Sequence, residues 1–273
     1  MKTYVYHMIV WIAFGLSATT AAQAQTQDTI ITEKDSAKKV NMNLSLGKDD
    51  DDDQNNDKEK KKVKYPRVFG GLTFTRIDWG FSRPMDNGSF TFSEENQFLS
   101  HSRASNFGFD IAQFGVRLDD NIKIYTAAGF EWNYMRLTSN VLLNQNQAPL
   151  TPTFVDRNEV NYTRNVLTST YLRVPLAFEW RSGRSRGGDR VRIVAGPMFG
   201  ILLKGSQRLR SEELGRQSFR DTYNLQSFQY GGHLRVGFGS FAVFTKYYMN
   251  DMFEQSPAQE GFRNFAFGLT LGF

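Results

Sequence analysis

The stretch from residue 121 to residue 137, NIKIYTAAGFEWNYMRL, decides the fold. Ile122, Ile124, Thr126, Ala128, Phe130, Trp132 and Tyr134 fall on one side of an extended chain, and Lys123, Tyr125, Ala127, Gly129, Glu131, Asn133 and Met135 fall on the other. A repeat of two residues marks a β-strand, whose successive side chains point to opposite faces. The run is also long. Strands of soluble proteins typically have about 5 or 6 residues, whereas a strand crossing a bilayer needs about 9 to 11.

The same rhythm recurs along the chain. Residues 168–180 set Thr170, Leu172, Val174, Leu176, Phe178 and Trp180 against Tyr171, Arg173, Pro175, Ala177 and Glu179. Segments 190–204, 227–238, 241–249 and 263–273 alternate likewise, for example Phe265, Phe267, Leu269, Leu271 and Phe273 against Asn264, Ala266, Gly268, Thr270 and Gly272. Two weaker segments are 67–79, with Phe69, Gly71, Thr73, Thr75, Ile77 and Trp79, and 106–118. In the latter, Phe107, Phe109 and Ile111 give way to Phe114, Val116 and Leu118, a change of phase that a β-bulge produces. Pro175 and Pro197 each predict a bulge or strand-end irregularity, because proline removes a ladder donor. The total is eight strands.

The connections alternate in length: 80–105 long, Asp119-Asp120-Asn121 tight, 138–167 long, Arg181 to Asp189 moderate, 205–226 long, Gly239-Ser240 tight and 250–262 intermediate. Transmembrane barrels have short periplasmic turns and longer outer loops, and an even strand count puts both termini on the periplasmic side. These features predict an all-β fold, an eight-stranded antiparallel transmembrane β-barrel. A soluble exported sandwich is the competing reading. Trp79, Trp132, Trp180, Tyr134, Tyr247 and Tyr248 stand near strand ends, where they suit interfacial girdles or else ordinary packing.

The mean hydropathy of -0.47 does not oppose a barrel, whose strands need an apolar residue only at alternate positions. Residues 1–24 read as a secretory signal peptide: Lys2, an apolar stretch from Tyr4 to Ala18, then Ala22-Gln23-Ala24. Residues 25–64 carry the blocks Asp49 to Asp53 and Asp57 to Lys64 and read as a charged flexible periplasmic linker, in which Asn41 to Leu46 has some strand character. The barrel domain is 65–273. Cysteine is absent, which excludes disulfides and thiolate chemistry. A net charge of +5 spread over both signs gives no concentrated basic stripe for nucleic acid.

With the apolar faces toward lipid, the interior receives Lys123, Glu131, Arg173, Glu179, Arg190, Arg192, His233, Arg235 and Lys246. An eight-stranded barrel is just wide enough for side chains to fill it, and buried charges persist only when paired, so an internal ionic network is expected. A narrow ion path or anion site is the alternative use of the same residues. Asp110 adds a further acid if its strand has the expected phase. Loop 205–226 is basic, with Arg208, Arg210, Arg216 and Arg220, and suits either a short surface helix touching anionic lipid headgroups or lipopolysaccharide phosphates, or a solvated loop. His101 has Ser100, Ser102 and Asp110 nearby in sequence, but spacing alone does not orient a catalytic triad. No cofactor or metal motif stands out.

The terminal segment Phe265 to Phe273 resembles the assembly signal of bacterial outer-membrane barrels, an alternating strand ending in an aromatic residue. The wider chain resembles the Bacteroidetes outer-membrane β-barrel domain family that includes PorT-type proteins. The resemblance rests on Tyr171-Leu172-Arg173-Val174-Pro175-Leu176, Ala127-Ala128-Gly129-Phe130 and Gly196-Pro197-Met198-Phe199-Gly200. It implies residence in the bacterial outer membrane, and for PorT itself a link to secretion machinery. The function expected is a non-enzymatic anchored binding or structural protein, or an accessory to envelope assembly, with lipid around it and periplasmic or envelope proteins as partners of the 25–64 linker. The alternatives are a small-solute channel or porin and, further off, an outer-membrane hydrolase or acyltransferase.

Overall fold

The computed structural model describes the backbone of residues 42–44 and residues 65–73, 76–138, 140–185 and 189–273. The signal-peptide reading of 1–24, and most of the linker reading of 25–64, lie outside these residues. The first wall strand comes in two halves, β1 (Arg67–Leu72) and β2 (Ile77–Ser82). It is followed by β3 (Leu99–Arg117), β4 (Ile122–Leu137), β5 (Tyr162–Arg181), β6 (Val191–Ser211), β7 (Gly215–Arg220), β8 (Phe228–Phe238), β9 (Phe241–Tyr248) and β10 (Phe265–Leu271).

Neighbours pair antiparallel in the order β2, β3, β4, β5, β6, β8, β9, β10, and β10 then pairs with β2, Leu271 opposite Ile77 and Ala266 opposite Ser82. The sheet therefore closes on itself as an eight-stranded antiparallel transmembrane barrel. Closure gives each of the eight strands of the ring a partner on both sides, which is what a hydrocarbon environment demands. Met42–Leu44 runs parallel to β1, Met42 opposite Val68.

The two-residue rhythm maps onto the wall. Along β4, Lys123 through Leu137 at odd positions are buried inside and the even positions face out. Leu176, Phe178 and Trp180 on β5, Val243 on β9 and Leu269 on β10 are exposed on the outer surface, forming an apolar belt. Trp79 is the most exposed of the Trp residues among them, at 66%. Tyr248 corrects the girdle reading, for it points inward and donates a hydrogen bond to Glu131.

The phase change in β3 is a bulge: Asp110 is opposite Gly129 and Ala112 is opposite Ala128, so Ile111 is the extra residue. The prolines behave otherwise than expected. Pro175 and Pro197 lie inside β5 and β6, and the register from Ala195 opposite Phe178 to Met198 opposite Pro175 is unshifted. The β4–β5 ladder merely skips from Thr126–Leu176 to Gly129–Arg173, and the Thr126 hydroxyl donates to the Pro175 carbonyl at 3.0 Å. Each ladder beside the prolines skips two rungs, and the unbroken β6–β8 ladder holds the register there.

Loop 205–226 is not helical. β6 continues to Ser211 and folds back through β7, Arg210 opposite Arg216 and Ser206 opposite Arg220, in a hairpin that projects from the wall. Alternation persists there, with Gln207, Leu209 and Ser211 buried and Arg208 and Arg210 exposed. Loop 138–167 contains a smaller hairpin, Val141–Leu143 with Pro152–Phe154, before β5 begins at Tyr162.

Candidate functional site in the barrel interior

Inward-facing side chains form three layers. At the long-loop end, Leu137, Val141, Leu143, Leu150, Leu167, Tyr223, Leu225, Met252, Phe253 and Phe262 make an apolar cluster, much of it supplied by the loops themselves. Polar contacts stitch those loops down: Gln207 Nε2 donates to Val141 O and to Asn165 Oδ1, both at 2.9 Å, and Leu150 N donates to Ser256 Oγ at 3.0 Å. At the short-turn end, Tyr125, Ala177, Val194, Ala242 and Phe273 form a second, smaller apolar cluster with Phe69 against it.

Between them lies an ion-pair layer. Arg173 is its hub, with Nη1 at 2.6 Å from Asp78 Oδ2 and 3.3 Å from Glu131 Oε2, and Nη2 at 2.5 Å from Asp110 Oδ1. Asp78 also receives Arg235 at 2.8 Å, Lys246 at 3.1 Å and the Thr270 hydroxyl at 2.7 Å. Glu131 receives Lys246 at 2.8 Å and the Tyr248 hydroxyl. Arg76 stands 3.7 Å from Asp110 and donates to the Tyr125 hydroxyl at 3.1 Å. Nearer the turns, Arg181 pairs with Glu179 at 2.5 Å, and Lys123 lies 4.2 Å from the Phe69 ring centroid. Every one of these charged groups is buried. Ions taken out of water are stable only with such multiple partners, since desolvation otherwise exceeds the attraction of a single pair.

The structure thus brings Lys123, Glu131, Arg173, Glu179, His233, Arg235 and Lys246 into the interior. Two residues of the predicted set lie elsewhere. Arg190 precedes β6 and donates to the Asp120 carbonyl in an exposed turn at 2.9 Å. Arg192 is half-buried at the same end, bonded to the Gly239 carbonyl at 3.3 Å and stacked over Phe273. Asp110, the acid considered beside His101, is engaged by Arg173 and Arg76. Among the described residues no group of three or more His, Cys, Asp or Glu is placed to hold a metal ion.

Sequence reasoning missed Asp78, Arg76, Arg181 and the amide chain in which Ser82 donates to Asn264, and Asn264 and Asn106 both donate to Asn133. The signal for Asp78 was present: it lies between Ile77 and Trp79, both read as outward, so it must point inward. The other predicted cluster, Arg208, Arg210, Arg216 and Arg220, is exposed on the outer face of the β6–β7 hairpin.

Sheet closure, an outward apolar belt and an interior of paired charges define the class of membrane-spanning β-barrels. The family described as outer membrane protein beta-barrel domain matches residues 54–254, well over half of the sequence. The chain belongs to that family, and its place is the bacterial outer membrane, embedded in the lipid bilayer. No curated protein matches it.

Proposed function

We propose that this protein is a non-enzymatic barrel, closed to solutes, that anchors its long loops at the cell exterior as a binding or structural platform or as an accessory to envelope assembly. The short turns and both chain ends then lie in the periplasm, where the charge blocks of residues 25–64 suit contact with envelope proteins. The observation that carries this reading is the stacking of the Arg173-centred layer between two apolar clusters. Solute would have to part buried ion pairs, and the interior of an eight-stranded ring is just wide enough for the side chains that fill it. Reconstitution of the purified protein in a planar lipid bilayer tests it. The expected trace is flat; reproducible single-channel steps would establish the porin reading instead.

A further inference from the structure

The outer wall at the long-loop end carries an arrangement that the interior does not explain. In the sheet register Arg164 on β5 is directly opposite Arg210 on β6, which is directly opposite Arg216 on β7. Three arginines therefore stand side by side on adjacent strands about 5 Å apart. One step toward the membrane, Arg136 and Arg208 flank Val166 in the next row, about 7 Å away. Like charges directly opposite one another destabilise a sheet. Among the described residues no ion pair holds Arg164, Arg208, Arg210 or Arg216, and the nearby acids Glu212 and Glu213 lie in the hairpin turn, exposed.

Two clefts open between these side chains. One, of about 570 Å³, is lined by Arg103, Tyr134, Arg136, Thr163, Arg164 and Arg210; the other, of about 380 Å³, by Arg164, Arg208, Arg210 and Arg216. Both lie on the outward face, where the β4 stripe runs from Arg136 directly into Tyr134, Trp132 and Phe130 of the apolar belt, while on β6 Ser206 and Lys204 separate Arg208 from Leu203 and Ile201. A ligand seated there has its anionic part among guanidinium groups and its remainder against hydrocarbon-facing side chains. Guanidinium matches phosphate in bidentate geometry.

We infer that this face binds a phosphate-bearing lipid headgroup of the outer leaflet, of the lipopolysaccharide class. The site rests on the reading that the long-loop end faces the exterior, and it extends the hairpin arginines across the wall to β4 and β5. The continuity of the β4 stripe with the lipid-facing belt is what selects a lipid over free phosphate.

The test uses the full chain in detergent micelles, with binding of lipid A, of its dephosphorylated form and of inorganic phosphate measured separately. Wild type retains lipid A. The triple variant Arg164→Gln, Arg210→Gln, Arg216→Gln loses affinity by about tenfold or more, the scale of a lost charge-assisted hydrogen bond. Arg190→Gln, at the other end, leaves binding unchanged, and the dephosphorylated lipid binds as weakly as the triple variant binds lipid A. Heat-modifiable gel migration checks folding, and the single variants Arg164→Gln and Arg216→Gln carry the comparison if the triple variant does not fold. Equal lipid A binding by wild type and variants would overturn the site, and equal competition by inorganic phosphate would overturn its assignment to a lipid. Orientation is read independently by labelling an Asn158→Cys variant, in a chain with no other cysteine, with a membrane-impermeant maleimide on intact cells. Labelling only after the outer membrane is broken would overturn the orientation whatever the binding result.

Discussion

Arg173 shows how a single residue sets the interior. Its guanidinium touches Asp78, Asp110 and Glu131 at once, so truncation leaves three buried carboxylates short of a cation. Removing one partner of a buried pair typically costs about 3–5 kcal/mol, because the remaining charge is left uncompensated. Arg173→Ala is therefore expected to lower the urea midpoint of the barrel in micelles by that order, whereas Arg190→Ala, at an exposed turn, stays within about 0.5 kcal/mol. Similar losses for both variants would mean that the ion-pair layer has no special energetic role. Asp86, in the first long loop, offers a pH test outside the membrane. Its burial favours the neutral form, but hydrogen bonds from Asn96 Nδ2, from the amide and hydroxyl of Ser93, and from Asn87 outweigh this and hold the carboxyl below its ordinary value of 3.8. With the folded value depressed, the stabilisation is full above the unfolded value and is lost as pH falls through the folded one. The NMR shift of the Ser93 amide should hold steady from neutral pH down to about 4 and move below it. An Asp86→Asn variant should show no such titration, and a transition at higher pH would contradict the assignment.

Among the elements, the seam between β2 and β10 is where the ring closes, and its paired glycines leave no room for a side chain. Gly80 is opposite Gly268, and a Cβ on Gly268 would stand 2.4 Å from both Gly80 Cα and Trp79 O. Gly268→Val should thus destabilise closure by about 1–3 kcal/mol, the usual cost of overpacking, read as a lower transition temperature in heat-modifiable migration. Gly183→Ala, with open space around it, should not shift that temperature, and a silent Gly268→Val would show that the seam can yield. The existence of every wall strand was legible in the sequence because lipid on one side and a packed interior on the other enforce strict alternation. The bulge at Ile111 was legible for the same reason, since the apolar positions change parity there, whereas the changes of parity between Phe69 and Ile77 and at Leu203 passed unread. Strand ends were not. Beyond Lys204 on β6 and before Thr168 on β5 the outward positions turn polar, so alternation continues without the hydropathy contrast that reveals it. The prolines were misread because single-strand rules price a lost rung without the neighbours that keep the register.

In the whole molecule, the interior holds Arg76, Arg173, Arg235 and Lys246 with Asp78, Asp110 and Glu131 between the two apolar clusters, and Lys123, Glu179 and Arg181 nearer the turns. Much of this composition could be read from face parity alone, and Asp78 follows from the same parity. The pairing could not, because Arg173 meets Asp78 across 95 residues of chain and Lys246 meets Glu131 across 115. The cluster at the long-loop end was hidden too, since Val141, Leu150, Tyr223 and Phe253 come from connections with no periodic pattern. The central claim is that one side of each strand meets lipid and the other meets a filled interior with no free water path. Spin labels placed one at a time from Ala127 to Tyr134 in proteoliposomes test it most directly, by their accessibility to oxygen and to a water-soluble nickel complex. The account predicts oxygen access at 128, 130, 132 and 134, and access to neither probe at 127, 131 and 133. Access of the nickel complex to the odd positions, or no alternation at all, would contradict it.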